Sequence, residues 1–318
     1  MVNGVAKRLK FCKYGLFADD KSAYYHFNPS QLNDATHKLN SDAQAVADWA
    51  KEVGLELNLV KTKVMILRSN RKLKILKDCD LPQIIIDGNV IPYVSSIKHL
   101  GVHLSANLSW DLHVSHISRK VYGALNSLKY RKNILSTSTR KLLVVAMIIP
   151  IIDYCSLVLI DISKRLDYKL QRLINNGIRF IFNLKRDEHV TPHRRSLQWI
   201  TVKSRRYYFL ACFLYKLFSS GEPSFLRSLF VEESPNIRRS ERVAARNNNI
   251  TFKIPNFSTA SYEHSFLISS IRLWRELPPD VINALSIVTF KTKAYKFFHD
   301  LELKESLIPG TIEEISSC

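Results

Sequence analysis

The chain has 318 residues, of which 46% are hydrophobic, enough for one large or two ordinary domains; this excludes global disorder. Its formal net charge is +19, from 47 lysines and arginines against 28 acids. Such a surplus either serves solubility or marks a polyanionic partner, nucleic acid or an anionic membrane surface, and the interleaving of aromatic with basic residues favours nucleic acid.

In chain order, Lys13-Tyr14-Gly15-Leu16-Phe17-Ala18-Asp19-Asp20-Lys21-Ser22-Ala23-Tyr24-Tyr25 reads as two short strands around an Asp-Asp hairpin turn. Neighbouring carboxylates repel; they are relieved by water at a surface turn or by a hard divalent cation such as Mg²⁺. Next comes a helix capped by Asn28 or Ser30, with Leu32, Ala35, Leu39, Ala43, Val46, Ala50 and Val53 on one stripe, stopped at Gly54. Residues 61–67 read as a strand that begins on lysines, and 68–77 as a basic loop. Asp87-Gly88 between apolar runs marks a hairpin, and 96–104 a further strand-turn-strand.

After Ser109-Trp110 the periodicity turns helical. Val114, Ile117, Val121, Ala124, Leu125 and Leu128 share a stripe, with Arg119 opposite and Lys129, Arg131 and Lys132 at the end, where cations suit the helix dipole. Further helices are expected from Thr137, from Ser163 through Phe182, from Arg205 to Phe218, and from Ser286 through Leu301. The apolar run Leu142–Ile160 contains Pro150 and Asp153, so it reads as two buried elements broken at Pro150 and not as a membrane span. Residues 232–255, with Arg238, Arg239, Arg242 and Arg246, read as a basic linker. The five cysteines, Cys12, Cys79, Cys155, Cys212 and Cys318, are scattered without a C-x-x-C pair; this argues against a zinc or disulfide framework and fits a reducing, intracellular compartment. Met1–Lys10 is basic without an apolar run behind it and is not expected to be a signal peptide.

Four motifs in order, and a C-terminal block after them, carry a family likeness. Phe17-Ala18-Asp19-Asp20 resembles the [YF]-A-D-D turn of the polymerase palm. Gly54-Leu55-Glu56-Leu57-Asn58 with Lys61-Thr62 resembles G-L-x-x-N-x-x-K-T. Lys98-His99-Leu100-Gly101-Val102 resembles the hairpin that grips the primer, and Trp110 with His113 the W-x-x-H that opens the thumb. Leu277-Pro278-Pro279 after Trp274, with Phe290-Lys291, is similar to the block that ends such reading frames. Together they resemble the C-terminal half of a reverse transcriptase of the non-LTR (LINE-type) retrotransposon class.

The resemblance implies an α+β fold. Residues 1–108 would be a partial palm of antiparallel hairpins with one packed helix, 109–231 a helical thumb, 232–255 the linker and 256–318 a C-terminal helical extension. It implies an RNA-directed DNA polymerase lineage, with Asp19 and Asp20 as ligands of catalytic Mg²⁺ and Lys61 at the position that protonates the departing pyrophosphate. Lys98, Arg119, Lys120, Arg131 and Lys132 would contact the backbone of an RNA/DNA duplex; equally, the helix residues form a solvated face. In the family a second essential aspartate comes from an earlier palm strand. None of the 18 residues before Asp19 is acidic, so the two-metal clamp of phosphoryl transfer is incomplete. The isolated chain is therefore expected to be inactive, Lys61 to be vestigial, and the missing palm and fingers to be a potential partner. Two other readings stand beside this one: a non-catalytic nucleic-acid-binding module and a helical protein-interaction scaffold.

His99 and His103 have no third ligand at metal spacing and read as partly exposed hairpin residues; His113, three residues before His116, reads as structural. Trp49, Trp199 and Trp274 read as core anchors. No nuclease or RNase H signature and no Cys/His zinc knuckle is visible. The helical half is expected to be the better ordered, and the hairpin half to expose apolar surface.

Overall fold

The computed structural model describes residues 2–68, 81–233 and 251–305. The loop residues 69–77, Cys79, Cys318 and the arginines Arg238, Arg239, Arg242 and Arg246 lie outside the described residues. The fold is α+β, mostly helical, with three antiparallel two-stranded hairpins. It divides into two compact units, 1–113 and 114–318.

In the first unit, β1 (Lys13–Phe17) pairs with β2 (Asp20–Tyr24). The helix α1 (Leu32–Glu52) follows. It ends in a Schellman motif: the N–H of Leu55 donates to Ala50 O and that of Gly54 to Lys51 O, with Gly54 left-handed at φ 70°. Asn28 precedes a short 3₁₀ turn, Pro29–Gln31, and makes no side-chain cap. Next come β3 (Ile84–Ile86) with β4 (Asn89–Ile91), and β5 (Ser96–His99) with β6 (Val102–Ser105). Asp87-Gly88 and Leu100-Gly101 turn these hairpins with both residues at positive φ, the geometry that matches strand twist.

α1 is buried on two sides. Ala47, with Leu39 and Ala43 beside it, packs against Ile84, Ile86 and Ile91. Trp49 and Ala50 pack with Val5, and Leu16 and Val46 lie against them. Polar side chains fix the first of these contacts. Asn40 Oδ1 accepts the Ile85 N–H at 3.0 Å, Gln44 Oε1 accepts the Asp87 N–H at 3.0 Å, and Lys51 meets the Asp87 carboxylate at 2.6 Å.

The strand expected at 61–67 does not form. Lys61 sits in a turn closed on Asn58 O, and only Val64 makes a bridge, parallel to Tyr93. The Val64 N–H donates to Pro92 O, and Val64 O accepts from Val94 N–H. Pro92 has no N–H to give to Thr62 O, so the ladder cannot lengthen toward Lys61.

The helices of the second unit include α2 (Asp111–Lys129, whose first turn holds the boundary), α3 (Thr137–Leu143), α4 (Ile149–Asp153), α5 (Lys164–Phe182), α6 (Val202–Ser220), α7 (Phe266–Glu276) and α8 (Ile287–Glu305), with four further short ones among the described residues. Val114, Ile117, Val121 and Leu125 of α2 are buried, and eight residues of α5 from Leu166 to Ile181 are buried. α6 packs against α5, α7 and α8. Phe218, Phe230, Phe252 and Trp274 stack around its C-terminal end with ring centroids 4.5–5.6 Å apart. Residues on either side of the linker, expected as thumb and extension, thus share one core that includes Leu210, Leu214, Trp274 and Phe290. Glu302 of α8 locks the start of α6. It accepts the Thr201 N–H and hydroxyl, each at 2.7 Å, and meets Arg194 at 2.6 Å.

The chain is not broken at Pro150. α3 runs through a π-helical turn, Val144–Ile148, into α4, and the Ile149 N–H reaches back to Val144 O. The wider turn accommodates the proline, whose ring and missing N–H would otherwise disrupt an α-helix. The break comes at Cys155, which is left-handed at φ 50°. Val144, Ile148, Ile149, Ile152 and Leu159 are buried, whereas Leu142, Val145, Met147, Tyr154 and Val158 are exposed. This run is therefore half core and half surface. No helix among the described residues is long and apolar enough to cross a membrane.

Candidate carboxylate turn and nucleic-acid interface

The β1–β2 hairpin places Phe17 opposite Asp20 and leaves Ala18-Asp19 as a two-residue turn. Ala18 is left-handed at φ 52°. Asp19 is thus at the tip and Asp20 is the first residue of β2, one step further in than the sequence suggested. Both are exposed. The hairpin stands largely in solvent: Tyr14, Phe17 and Tyr24 are 47%, 65% and 59% exposed. It is anchored at two points, by Leu16 against the Trp49 cluster and by Lys21, whose Nζ lies 4.3 Å from the Trp49 ring centroid. Burial holds the Lys21 ammonium below its usual pKa.

Lys61 is exposed, and its N–H is bound by Asn58 Oδ1 at 3.0 Å. Lys98 is exposed on β5 opposite His103. Neither hydrogen-bonds to Asp19 or Asp20. Among the described residues no group of three or more His, Cys, Asp or Glu is placed to hold a metal ion. As a donor set, the turn offers two solvated monodentate carboxylates; Mg²⁺ would keep most of its water there.

The W-x-x-H segment acts as a clip. Trp110 meets His113 edge-on with centroids 6.3 Å apart, and the His103 N–H approaches His113 Nδ1 at 3.4 Å. His113 is 2% exposed, joining β6 to the start of α2. His99 and His103 are half-buried. Trp49 and Trp274 are buried, and Trp199 half-buried.

Of the cations proposed on the first long helix, Arg119 and Lys120 are exposed. Being adjacent, they point about 100° apart around the axis and cannot serve one narrow site. Arg131 and Lys132 lie beyond the end of α2, in turns that donate to Leu128 O and Lys129 O. The four therefore do not form one cluster. Lys169 and Arg172 of α5 are further cations, absent from the expected set; their i, i+3 spacing on the polar side of a strongly amphipathic helix is the sequence signal for them.

The chain matches no protein-family model, no curated protein and no solved structure.

Proposed function

We propose that residues 1–318 are the end-of-palm and thumb portion of a reverse transcriptase of the non-LTR retrotransposon class, and that by themselves they bind nucleic acid without extending a primer. The observation that carries this reading is the hairpin with Asp19 at its tip and Asp20 at the start of β2, followed in order by a Gly54-stopped helix, the Lys98–Val102 hairpin and the Trp110–His113 clip. The chemistry limits what this span does alone. In-line displacement needs two metal ions held by more carboxylates than one turn supplies, and a seat for the incoming nucleotide. Earlier palm strands would supply both, and the exposed β1–β2 hairpin is the surface they would meet.

Two assays on the purified chain test this. Primer extension on an RNA template with Mg²⁺ is expected to give no incorporation; nucleotide addition overturns the inactive assignment. Binding to an RNA–DNA duplex is expected to weaken steeply as salt rises; absent or salt-independent binding overturns the nucleic-acid reading.

A second reading, a protein-interaction scaffold, draws on the exposed apolar side chains Leu142, Val145, Met147, Tyr154 and Val158. It predicts self-association or partner capture that Leu142→Glu abolishes without loss of duplex binding.

A further inference from the structure

Two helices of the second unit share a cationic strip that the sequence assigned to one helix. Lys169 Nζ of α5 donates to Ser115 Oγ of α2 at 3.2 Å, and Asn176 Nδ2 of α5 donates to Tyr122 Oη of α2 at 3.3 Å. The two contacts lie seven residues apart on each helix, in the same order. The helices therefore run side by side in the same direction over about 10 Å. Ser115, Arg119 and Tyr122 are spaced i, i+4, i+7; Lys169, Arg172 and Asn176 are spaced i, i+3, i+7. Each set is one ridge, and the bonded residues bring the ridges together.

The strip, 115–122 of α2 and 169–176 of α5, is positive and carries no carboxylate; Asp111, one turn before Ser115 on the same ridge, accepts from Ser109 Oγ at 2.7 Å. Between residues 114 and 182 the chain has twelve lysines and arginines but only three acids, Asp153, Asp161 and Asp167. Asp153 and Asp167 are engaged by Arg205 and Arg206 of α6, and Asp161 precedes α5. None of the three is on either ridge. Arg119 and Arg172 are exposed, Lys169 is half-buried, and the Tyr122 ring between them is 42% exposed. Arginine forks suit phosphate oxygens, and about 10 Å spans roughly three phosphates of one duplex strand.

We infer that Arg119, Lys169 and Arg172, flanking the Tyr122 ring, form a two-helix site for the phosphodiester backbone of a nucleic acid. The inference rests on the nucleic-acid reading above and deepens it. Lys120, Arg131 and Lys132 fall outside the strip and contribute only to the general field.

Fluorescence anisotropy on the full chain tests it, with a 20-base-pair RNA–DNA duplex, a single-stranded RNA 20-mer and phosphatidylserine vesicles as probes. Arg172→Gln and Lys169→Gln are each expected to weaken nucleic-acid binding about tenfold and to reduce the salt slope by about one. Arg172→Lys should retain most of the affinity, and Lys203→Gln, exposed on α6, should match wild type. Arg172 has no side-chain partner among the described residues, so its variants should melt with wild type. Loss on the duplex alone or on the single strand alone supports the site and identifies its ligand. Wild-type binding by Arg172→Gln and Lys169→Gln, with Arg119→Gln weakened, overturns the two-helix site and leaves nucleic-acid binding standing. No binding of either nucleic acid at low salt overturns both. Vesicle binding that Arg172→Gln removes, with duplex binding intact, overturns the site in favour of a membrane surface.

Discussion

The carboxylate of Asp42, midway along α1, accepts the backbone N–H of Cys12 at 2.7 Å, thirty residues earlier in the chain. It also accepts the N–H groups of Lys10 and Phe11, each at 2.9 Å. A buried acid thus serves three donors that lead into β1, and so sets where the Asp19-Asp20 hairpin begins. Burial alone would raise the Asp42 pKa; the N–H donors of Lys10, Cys12 and Phe11 outweigh it and hold the carboxyl below its ordinary value.

Asp42→Ala should destabilise the first unit by about 3 kcal/mol, because three donors are left with no acceptor. Asp42→Asn should cost less, since it keeps one acceptor oxygen. A lowered folded pKa gives stability that is complete above the unfolded value of about 4 and is lost as pH falls through the folded value. Urea unfolding of the wild type should show this acid loss, and Asp42→Asn should flatten it. An unchanged midpoint for Asp42→Ala would remove the carboxylate as the anchor.

The thiols should separate by reactivity. Cys12 is buried beside Asp42, and burial first, then that carboxylate, pushes its pKa up to about 12. Burial also raises Cys212. Cys155 is exposed in a left-handed turn. Alkylation at pH 8 with peptide mapping should label Cys155 quickly, and Cys12 and Cys212 only on unfolding.

Gly177 lies where α5 closely approaches the π-helical turn. A Cβ there would sit 3.1 Å from Val144 Cγ1. Gly177→Val should destabilise the second unit by about 2–3 kcal/mol despite valine's better helix propensity, read as a fall in thermal midpoint. Gly123, where an added Cβ meets nothing within 4 Å, should accept Ala with a gain of up to about 1 kcal/mol.

Asp19→Asn and Asp20→Asn should leave stability within about 0.5 kcal/mol, since both side chains are solvated at a turn. Millimolar Mg²⁺ should not shift the melting of the wild type, because two solvated carboxylates bind it too weakly to favour the folded state. A clear Mg²⁺-dependent rise in the wild type that both variants lose would reveal a metal site at the tip.

Local chemistry made much of the fold legible. Gly54 after an apolar stripe announced the end of α1, Asp87-Gly88 and Leu100-Gly101 announced hairpins, and the Leu166–Ile181 period announced α5. Two of the failures share a cause, a deciding partner remote in sequence; the third, at Pro150, is a local backbone adjustment. Residues 61–67 have strand composition, but Pro92 offers no donor to extend the Val64 bridge toward Lys61. Pro150 looked like a break, but a π-helical turn absorbed it. The Arg119 strip needed Lys169 and Arg172, fifty residues on, to be visible.

What the amino-acid sequence determined unaided is the set of segments with short-range logic: the hairpin turns, the amphipathic helices and the surplus of positive charge. Turn residues and apolar periodicity act within a few positions, so no knowledge of the rest of the chain is needed. Only the tertiary structure decided that Asp42 would hold Lys10–Cys12, that Glu302 would lock Thr201 and Arg194, and that α2 and α5 would align their cations. Those pairings join residues dozens of positions apart, and which side chains meet is set by the packing of whole helices.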